Sequence, residues 1–265
     1  MKICYWSIAW GEYSYILQSL LKSYNDIGLK NDFHVYSDKK LKYCINHALN
    51  PSIPLDKLQF FKFNYLKKEL SKLNYDVFVF IDADHFFVRK PEIKIEDILG
   101  EDEWHSFLES PINSYKTQRK DWWGIPNYNL VNYFKEMGVK QEEIRNTNGG
   151  FWICKKNFIN SACELAFNCH EHLKSKFFTV PEEVSVAYIS HIASKNIEKR
   201  YAENYLNYWA SDWTSNFGNI LPENRPWVWT SYMTNENFKV NPSLIHAMRS
   251  KNALIELGKK ILTKV

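Results

Sequence analysis

Up to Ile81 the sequence alternates between two hydrophobic periods, and this alternation restricts the fold more than any other feature. Ile3–Ala9 is a short apolar run with the character of a buried strand. From Ser14 to Tyr24, the side chains Ile16, Leu20 and Tyr24 recur at i, i+4 and i+8, with Leu17 and Leu21 beside them. That spacing puts one apolar stripe on a helix. Phe33 to Tyr36 reads as a second strand, stopped by Ser37-Asp38, and Leu55 to Leu73 as a second amphipathic helix through Leu58, Phe61, Tyr65, Leu66, Leu70 and Leu73. Val77–Ile81 reads VFVFI, an all-apolar run that fits a strand covered on both faces. The order β-α-β-α-β predicts an α/β fold with right-handed crossovers, and such sheets take ligands at the carboxyl ends of their strands.

Beyond residue 85 the pattern loosens. Ser106 to Leu108 and Phe151 to Cys154 read as short strands, Phe158 to Leu173 and Glu182 to Ser194 as helices. Ala210 to Val240 reads as loop, with Trp213, Trp227 and Trp229 among Asn, Ser and Pro. No repeat and no Gly/Ser/Pro-rich linker divides the 265 residues, so one domain is expected. A net charge of +4 is too mild to indicate nucleic acid. Aromatics make up 16%, which suits either a large aromatic core or a protein that handles flat or ring-shaped ligands. The five cysteines are odd in number and contain no CxxC pair, which argues against a disulfide scaffold or zinc ribbon and for a reducing compartment. Cys4 and Cys154 lie in apolar runs, as small buried hydrophobes do. No stretch approaches the ~18–20 apolar residues of a membrane span, and the first residues carry no apolar leader, so a cytoplasmic location is expected.

The strongest chemical signal is Asp82-Ala83-Asp84, directly after VFVFI. Two carboxylates leaving a buried strand project at its carboxyl end, and hard oxygens of this kind hold a divalent cation that also grips substrate phosphates. A solvated turn explains the same pair less specifically. No GxxxxGK[ST] or GxGxxG loop exists, so a nucleotide here needs another means of neutralising its phosphates, and a cation on Asp82 and Asp84 is one.

Several segments together, in order along the chain, carry a resemblance. They are SIAWGEYSYILQSLLKSY, FHVYSD, VFVFIDAD, Asn148-Gly149-Gly150-Phe151, Pro181-Glu182-Glu183-Val184 and Ala247-Met248-Arg249-Ser250. In outline they resemble the metal-dependent glycosyltransferases of the GT-A fold, and more narrowly the retaining family 6 galactosyl and N-acetylgalactosaminyl transferases. The resemblance implies a single Rossmann-like mixed sheet with flanking helices. It implies a nucleotide-binding half over 1–90, an acceptor half over 91–250 and a C-terminal amphipathic helix over 251–265. It implies Mn2+ or Mg2+ as cofactor, a UDP-hexose donor, a glycan or glycolipid acceptor and no nucleic acid. Carried over residue by residue, the nucleotide-sugar contacts fall on Ile8, Ala9, Trp10, Tyr13, Asp82, Ala83, Asn148, Gly149, Gly150 and Arg249, the metal on Asp82 and Asp84, and the acidic pair on Glu182 and Glu183. The chain departs from family 6 at Ile153-Cys154, where that family has a second Gly-Gly, and at Pro181, where it has histidine. Both positions lie near the acceptor in that family, so acceptor identity does not carry over. A weaker echo of family 8 adds His246 as a third metal ligand and Lys251 as a phosphate-binding lysine, although the Gly and Pro-Trp of that family are missing.

Each role has a plainer alternative. Trp10 and Tyr13 stack on uracil or pack the core. Asn148-Gly149 brings backbone close to a ligand or makes a plain turn before a strand. Glu183 stabilises an oxocarbenium-like transition state or complements a helix N-terminus. His246 is a ligand or an ordinary strand histidine. Trp122-Trp123-Gly124 and the Trp-rich 209–229 region form an acceptor platform or staple loops to the core. Leu254, Ile255, Leu257, Ile261 and Leu262 beside Lys259, Lys260 and Lys264 suit weak peripheral membrane contact or a helix docked on the domain. Two rivals remain: an inverting transferase or sugar-nucleotide enzyme on the same sheet, and a non-catalytic carbohydrate-binding protein.

Overall fold

The computed structural model describes residues 1–49, 58–113, 120–177, 181–211, 215–216, 227–230 and 237–263. Strand β1 (Ile3–Ala9) is buried along its length, and helix α1 (Tyr13–Asp26) buries Ile16, Leu17, Leu20, Leu21 and Tyr24, the stripe its spacing predicts. Gly11, with φ +59°, supplies the left-handed backbone of the tight turn between them. Strand β2 (Asp32–Ser37) pairs parallel with β1, and β3 (Ile45–Ala48) parallel with β2. Helix α2 (Leu58–Lys68) ends early in a 3-10 turn over Leu70–Lys72, and residues 55–57 of the expected helix lie outside the described residues. Strand β4 (Val77–Ile81) has every side chain fully buried.

After β4 come β5 (His85–Phe87), α3 (Ile95–Leu99), β6 (Trp104–Pro111), the hairpin β7 (Asp121–Trp122) and β8 (Ile125–Pro126), α4 (Asn127–Glu136), β9 (Arg145–Lys155), α5 (Ile159–Lys174) and α6 (Glu182–Ala193). The chain then forms β10 (Trp209–Ser211), β11 (Ser215–Asn216), β12 (Trp227–Thr230), β13 (Asn237–Val240), β14 (Leu244–His246) and α7 (Lys251–Thr263). The class is α/β with strands of both senses, as expected. The stretch read as loop is instead punctuated by strands, β11-β12-β13 forming an antiparallel sheet. Its Asn, Ser and Pro content obscured the short β-forming run WVWT of β12 and its cross-strand partners. Trp213 lies outside the described residues, as do the side chains of Trp227 and Trp229.

The chain divides into two compact units. The first comprises Met1–Pro51, Phe78–Lys94 and Tyr205–Val265, the second Ser52–Val77 and Ile95–Asn204. In the first unit the strand order is β3-β2-β1-β4, and a second sheet runs β10-β14-β5. Trp6 meets Phe80 edge-on at 4.8 Å, and Tyr24 meets Phe33 edge-on at 5.1 Å. Helix α7 is docked on α1. Ser19 Oγ donates to the Leu254 carbonyl at 2.6 Å, Lys42 Nζ donates to the Ile261 carbonyl at 3.0 Å, and Leu254 is buried. At Gly258 the helices nearly touch, because a Cβ there would lie 1.8 Å from the Tyr15 carbonyl oxygen. Helix α7 thus packs on α1 through Leu254 and Gly258 while Leu257 stays exposed, and membrane contact through the helix is not supported. No helix among the described residues is long and apolar enough to cross a membrane.

In the second unit β6 and β9 form an antiparallel pair. Trp104 stacks on Trp152 at 4.9 Å, and Phe63 of α2 lies parallel to Trp152 at 5.8 Å. The register runs from Ser106 opposite Trp152 to Leu108 opposite Thr147, so the β9 residues between Thr147 and Trp152 form an irregularity facing Phe107. Asn148-Gly149-Gly150 therefore lies inside a strand, at a bulge, and not at the turn expected from its composition. Much of the aromatic content is core: Trp6, Trp104, Trp122, Trp152 and Trp209 are all buried. All five cysteines are free, and burial pushes the Cys163 and Cys169 thiols up to about 12, which makes them inert.

Candidate active site

Asp82 and Asp84 leave β4 on the expected turn, closed by a hydrogen bond from the His85 amide to the Asp82 carbonyl at 3.3 Å. Strand β5 then pairs antiparallel with β14, which sets His85 opposite His246. The two imidazoles stack at 4.4 Å and 11°. Asp84 is buried beneath them. Its Oδ1 lies 3.0 Å from His246 Nε2 and its Oδ2 3.0 Å from Lys251 Nζ. Lys251 is the first residue of α7, and its ammonium also reaches the Tyr13 hydroxyl at 3.4 Å. Burial pushes the Asp84 carboxyl up, but His246 and Lys251 outweigh it and hold the group well below the usual carboxylate range. Burial pulls the Lys251 ammonium down, and Asp84 and Tyr13 more than restore it.

Asp84, His85 and His246 offer donor atoms that all lie within 4.8 Å of one another. Their hydrogen bonds separate ligand from support. The Trp209 indole, which can only donate, gives its N–H to His85 Nε2 at 3.2 Å. His85 Nδ1 faces the Asp82 carbonyl, which can only accept, at 3.2 Å. Nδ1 must then carry the proton, and His85 is neutral with both nitrogens committed. The set that fits a cation is Asp84 Oδ together with His246 Nε2, a carboxylate and an imidazole of the kind that suits Mn2+ or a related divalent ion. Asp82 is half-buried and stands outside this three-residue group, contributing its carbonyl to the lock on His85.

The other nucleotide-side candidates lie in the same unit. Ile8 and Ala9 are the last two residues of β1 and are buried, and Ala83 is buried in the Asp82–Asp84 turn. Trp10 is half-buried and Tyr13 exposed, their rings 6.1 Å apart and tilted by 30°. Asp38, at the end of β2, accepts from the Gly11 amide at 3.0 Å and from Ser14 Oγ at 2.6 Å, which fixes this corner. Arg249 is exposed on the 3-10 turn between β14 and α7. Tyr13, Asp84, His246 and Lys251 thus form one connected group.

A second group lies in the second unit. Glu182 and Glu183 occupy the first turn of α6, after Pro181. Gly149 admits them: a Cβ there would lie 2.8 Å from Glu183 Cγ and 3.4 Å from Glu182 Oε1. The close approach expected of Asn148-Gly149 is therefore to the acidic pair, while Asn148 Oδ1 accepts from the Gly150 amide at 3.0 Å. Lys62, fully buried, donates to the Gly149 carbonyl and to Glu182 Oε1, both at 3.1 Å. Glu183 accepts from the Trp123 indole N–H. Burial, reinforced by Glu182, pushes the Glu183 carboxyl up to about 8, against the pull of that hydrogen bond.

Sequence reasoning missed Lys62, His85 and Trp209. Lys62 stands four residues before the buried Leu66, on the apolar stripe of α2, which was a usable signal. His85 shares the buried face of β5 with Phe87 at period two.

The fold is that of the GT-A glycosyltransferases. No protein-family model and no curated sequence matches the chain. Among solved structures it is similar to a galactosyltransferase, LgtC, in complex with donor and acceptor sugar analogues. That match has 13% identity and a TM-score of 0.57, and it covers 99% of this chain and 97% of that one. It is also similar to a glycosyltransferase involved in the glycosylation of the major capsid of PBCV-1, with 14% identity, 98% and 100% coverage and a TM-score of 0.52. At such identities the likeness is one of fold and does not single out family 6.

Proposed function

We propose that the chain is a metal-dependent glycosyltransferase that moves a hexose from a UDP-sugar to a glycan or glycolipid with retention of configuration. The observation that carries this reading is Asp84, buried after β4 and held between His246 and Lys251. In this reading Asp84 and His246 hold Mn2+ or Mg2+, with Asp82 beside them. When bound, the ion supplies positive charge to the departing diphosphate. Lys251 exchanges Asp84 for a phosphate oxygen, and Arg249 adds a planar fork to the same group. The rings of Trp10 and Tyr13 take the uracil, and Ile8, Ala9 and Ala83 supply backbone to the donor. Asn148, Gly149 and Gly150 shape the sugar side through the acidic pair. Glu182 is ion-paired with Lys62. Positive charge developing at the anomeric carbon favours ionisation of Glu183, which stabilises that carbon. With its free cysteines, the protein is read as cytoplasmic.

Calorimetry with UDP tests the donor side. Binding is expected with Mn2+ and to weaken at least ~tenfold in EDTA or in Asp84→Asn, with the fold retained. Equal binding in EDTA removes the metal from the reading. On the sugar side, Glu183→Gln is expected to lower kcat by ~10²–10³. An α-linked product from an α-configured donor, read by NMR of the anomeric proton, supports retention, and a β-linked product makes the enzyme inverting.

A further inference from the structure

The hairpin β7–β8 turns through Trp123 and Gly124, whose φ values of 55° and 77° are both left-handed. Two such residues joining two strands make the mirror-image tight turn that Asn-Gly ordinarily occupies, and a bulky tryptophan is strained in its first position. The surroundings hold it there. Asp121 Oδ1 accepts from the Gly124 amide at 3.1 Å. Trp122 and Ile125, on either side of the turn, are buried in a cluster with Leu130, Phe134 and Ile144. The neighbours on both sides are anchored, so the Trp123 side chain is forced outward. It is 58% exposed, whereas Trp6, Trp104, Trp122, Trp152 and Trp209 are all buried. The ring is also fixed in azimuth, because its N–H donates to Glu183. Tyr128, on the first turn of α4, is 70% exposed five residues further on. Backbone strain of this sort persists where a site needs it, and ligand clamps are such places.

We propose that Trp123 is the stacking platform for the acceptor saccharide, its exposed indole face taking the apolar face of a pyranose ring beside the Glu183 carboxyl. The identity of the ring as acceptor rests on the glycosyltransferase reading; the stacking site itself does not. A rigid aromatic face covers the C–H side of a sugar at little entropic cost, and the adjoining carboxyl meets its hydroxyls. Glu183 then serves two purposes, one at the donor sugar and one in aiming the ring that receives it.

The probes are methyl β-galactoside, methyl β-glucoside and methyl β-N-acetylglucosaminide at millimolar concentration, read on the full chain by saturation-transfer NMR. The wild-type protein is expected to transfer saturation to at least one ring. Trp123→Leu, which keeps apolar bulk without a face, is expected to weaken that binding at least ~tenfold, and Trp123→Phe to retain most of it. Trp123→Asn restores the favoured turn residue, so it is expected to melt no lower than wild type while losing the sugar. Binding that is unchanged in Trp123→Leu, or saturation of no ring by the wild type, overturns the platform. The two readings fail separately. A wild-type protein that transfers no sugar from any UDP-hexose but loses glycoside binding in Trp123→Leu keeps the platform and loses the enzyme. One that transfers sugar yet binds glycosides alike with and without the ring loses only the platform.

Discussion

At the residue scale, the histidines beside Asp84 have different roles although both lie within reach of a cation. His246 points a nitrogen at Asp84, whereas both nitrogens of His85 are spent on Trp209 and the Asp82 carbonyl. Pulsed EPR of bound Mn2+ is therefore expected to show nitrogen coupling from one imidazole. His246→Gln should abolish the coupling and His85→Gln should leave it in place; loss in His85→Gln would make His85 a ligand. Glu183 makes a second residue-scale prediction. Its folded value of about 8 stands above the ordinary 4.5, so between those pH values the folded chain keeps a proton that the unfolded chain has released. Stability from this group is full below about pH 4.5, falls as pH rises toward 8 and then levels off. Glu183→Gln removes that dependence. Its melting temperature relative to wild type should climb between pH 5 and pH 9 by roughly 2–4 °C for each kcal/mol released. A constant offset across that range would contradict a proton held on Glu183. Asp84 was legible because an acidic turn after VFVFI is an unusual local pattern. The partners of Glu182 and His85 come from other elements; Lys62, on an otherwise apolar stripe, carried a local signal that the reading of the sequence missed.

At the element scale, α7 matters through its first residue as well as through its apolar face. Docking on α1 at Gly258 fixes where α7 begins, and that sets Lys251 against Asp84. Gly258→Ala places a methyl group into the Tyr15 carbonyl, a backbone atom that cannot rotate away. The variant is expected to lose ~1–3 kcal/mol or more in denaturant unfolding and to weaken UDP binding more than a change at the exposed Lys260, Lys260→Ala, does. Wild-type stability and affinity in Gly258→Ala would mean that α7 does not hold Lys251. The helical periods of α1 and α5 were readable, because each has an apolar stripe that recurs along its own sequence and is buried, whereas α6 is buried on every side from Val184 to His191. The bulge in β9 and the strands β11–β13 were not. Asn and Gly at 148–150 favour turns locally, and what keeps them in a strand is β6 alongside and the start of α6 pressed against Gly149.

At the scale of the whole molecule, each compact unit is assembled from separated stretches of chain. The first takes its opening strands, the Asp82–Asp84 turn and the C-terminal segment from three of them. The sequence by itself determined the class: alternation of periods, an all-apolar β4 and too few glycines for a phosphate loop left an α/β sheet with carboxylates at a strand end. It also determined where those carboxylates lie and where the acidic pair opens a helix. Only the tertiary structure decided the company they keep. His246 and Asp84 are 162 residues apart and meet because β14 chose β5 as its partner. Lys62 and Glu182 are 120 apart and meet because Gly149 lets α6 approach β9. Periodicity is a property of neighbours along the chain and can be read there. Pairing between distant strands, and the protonation that burial then imposes on Glu183, depend on which surfaces exclude water together, and no local pattern encodes that choice.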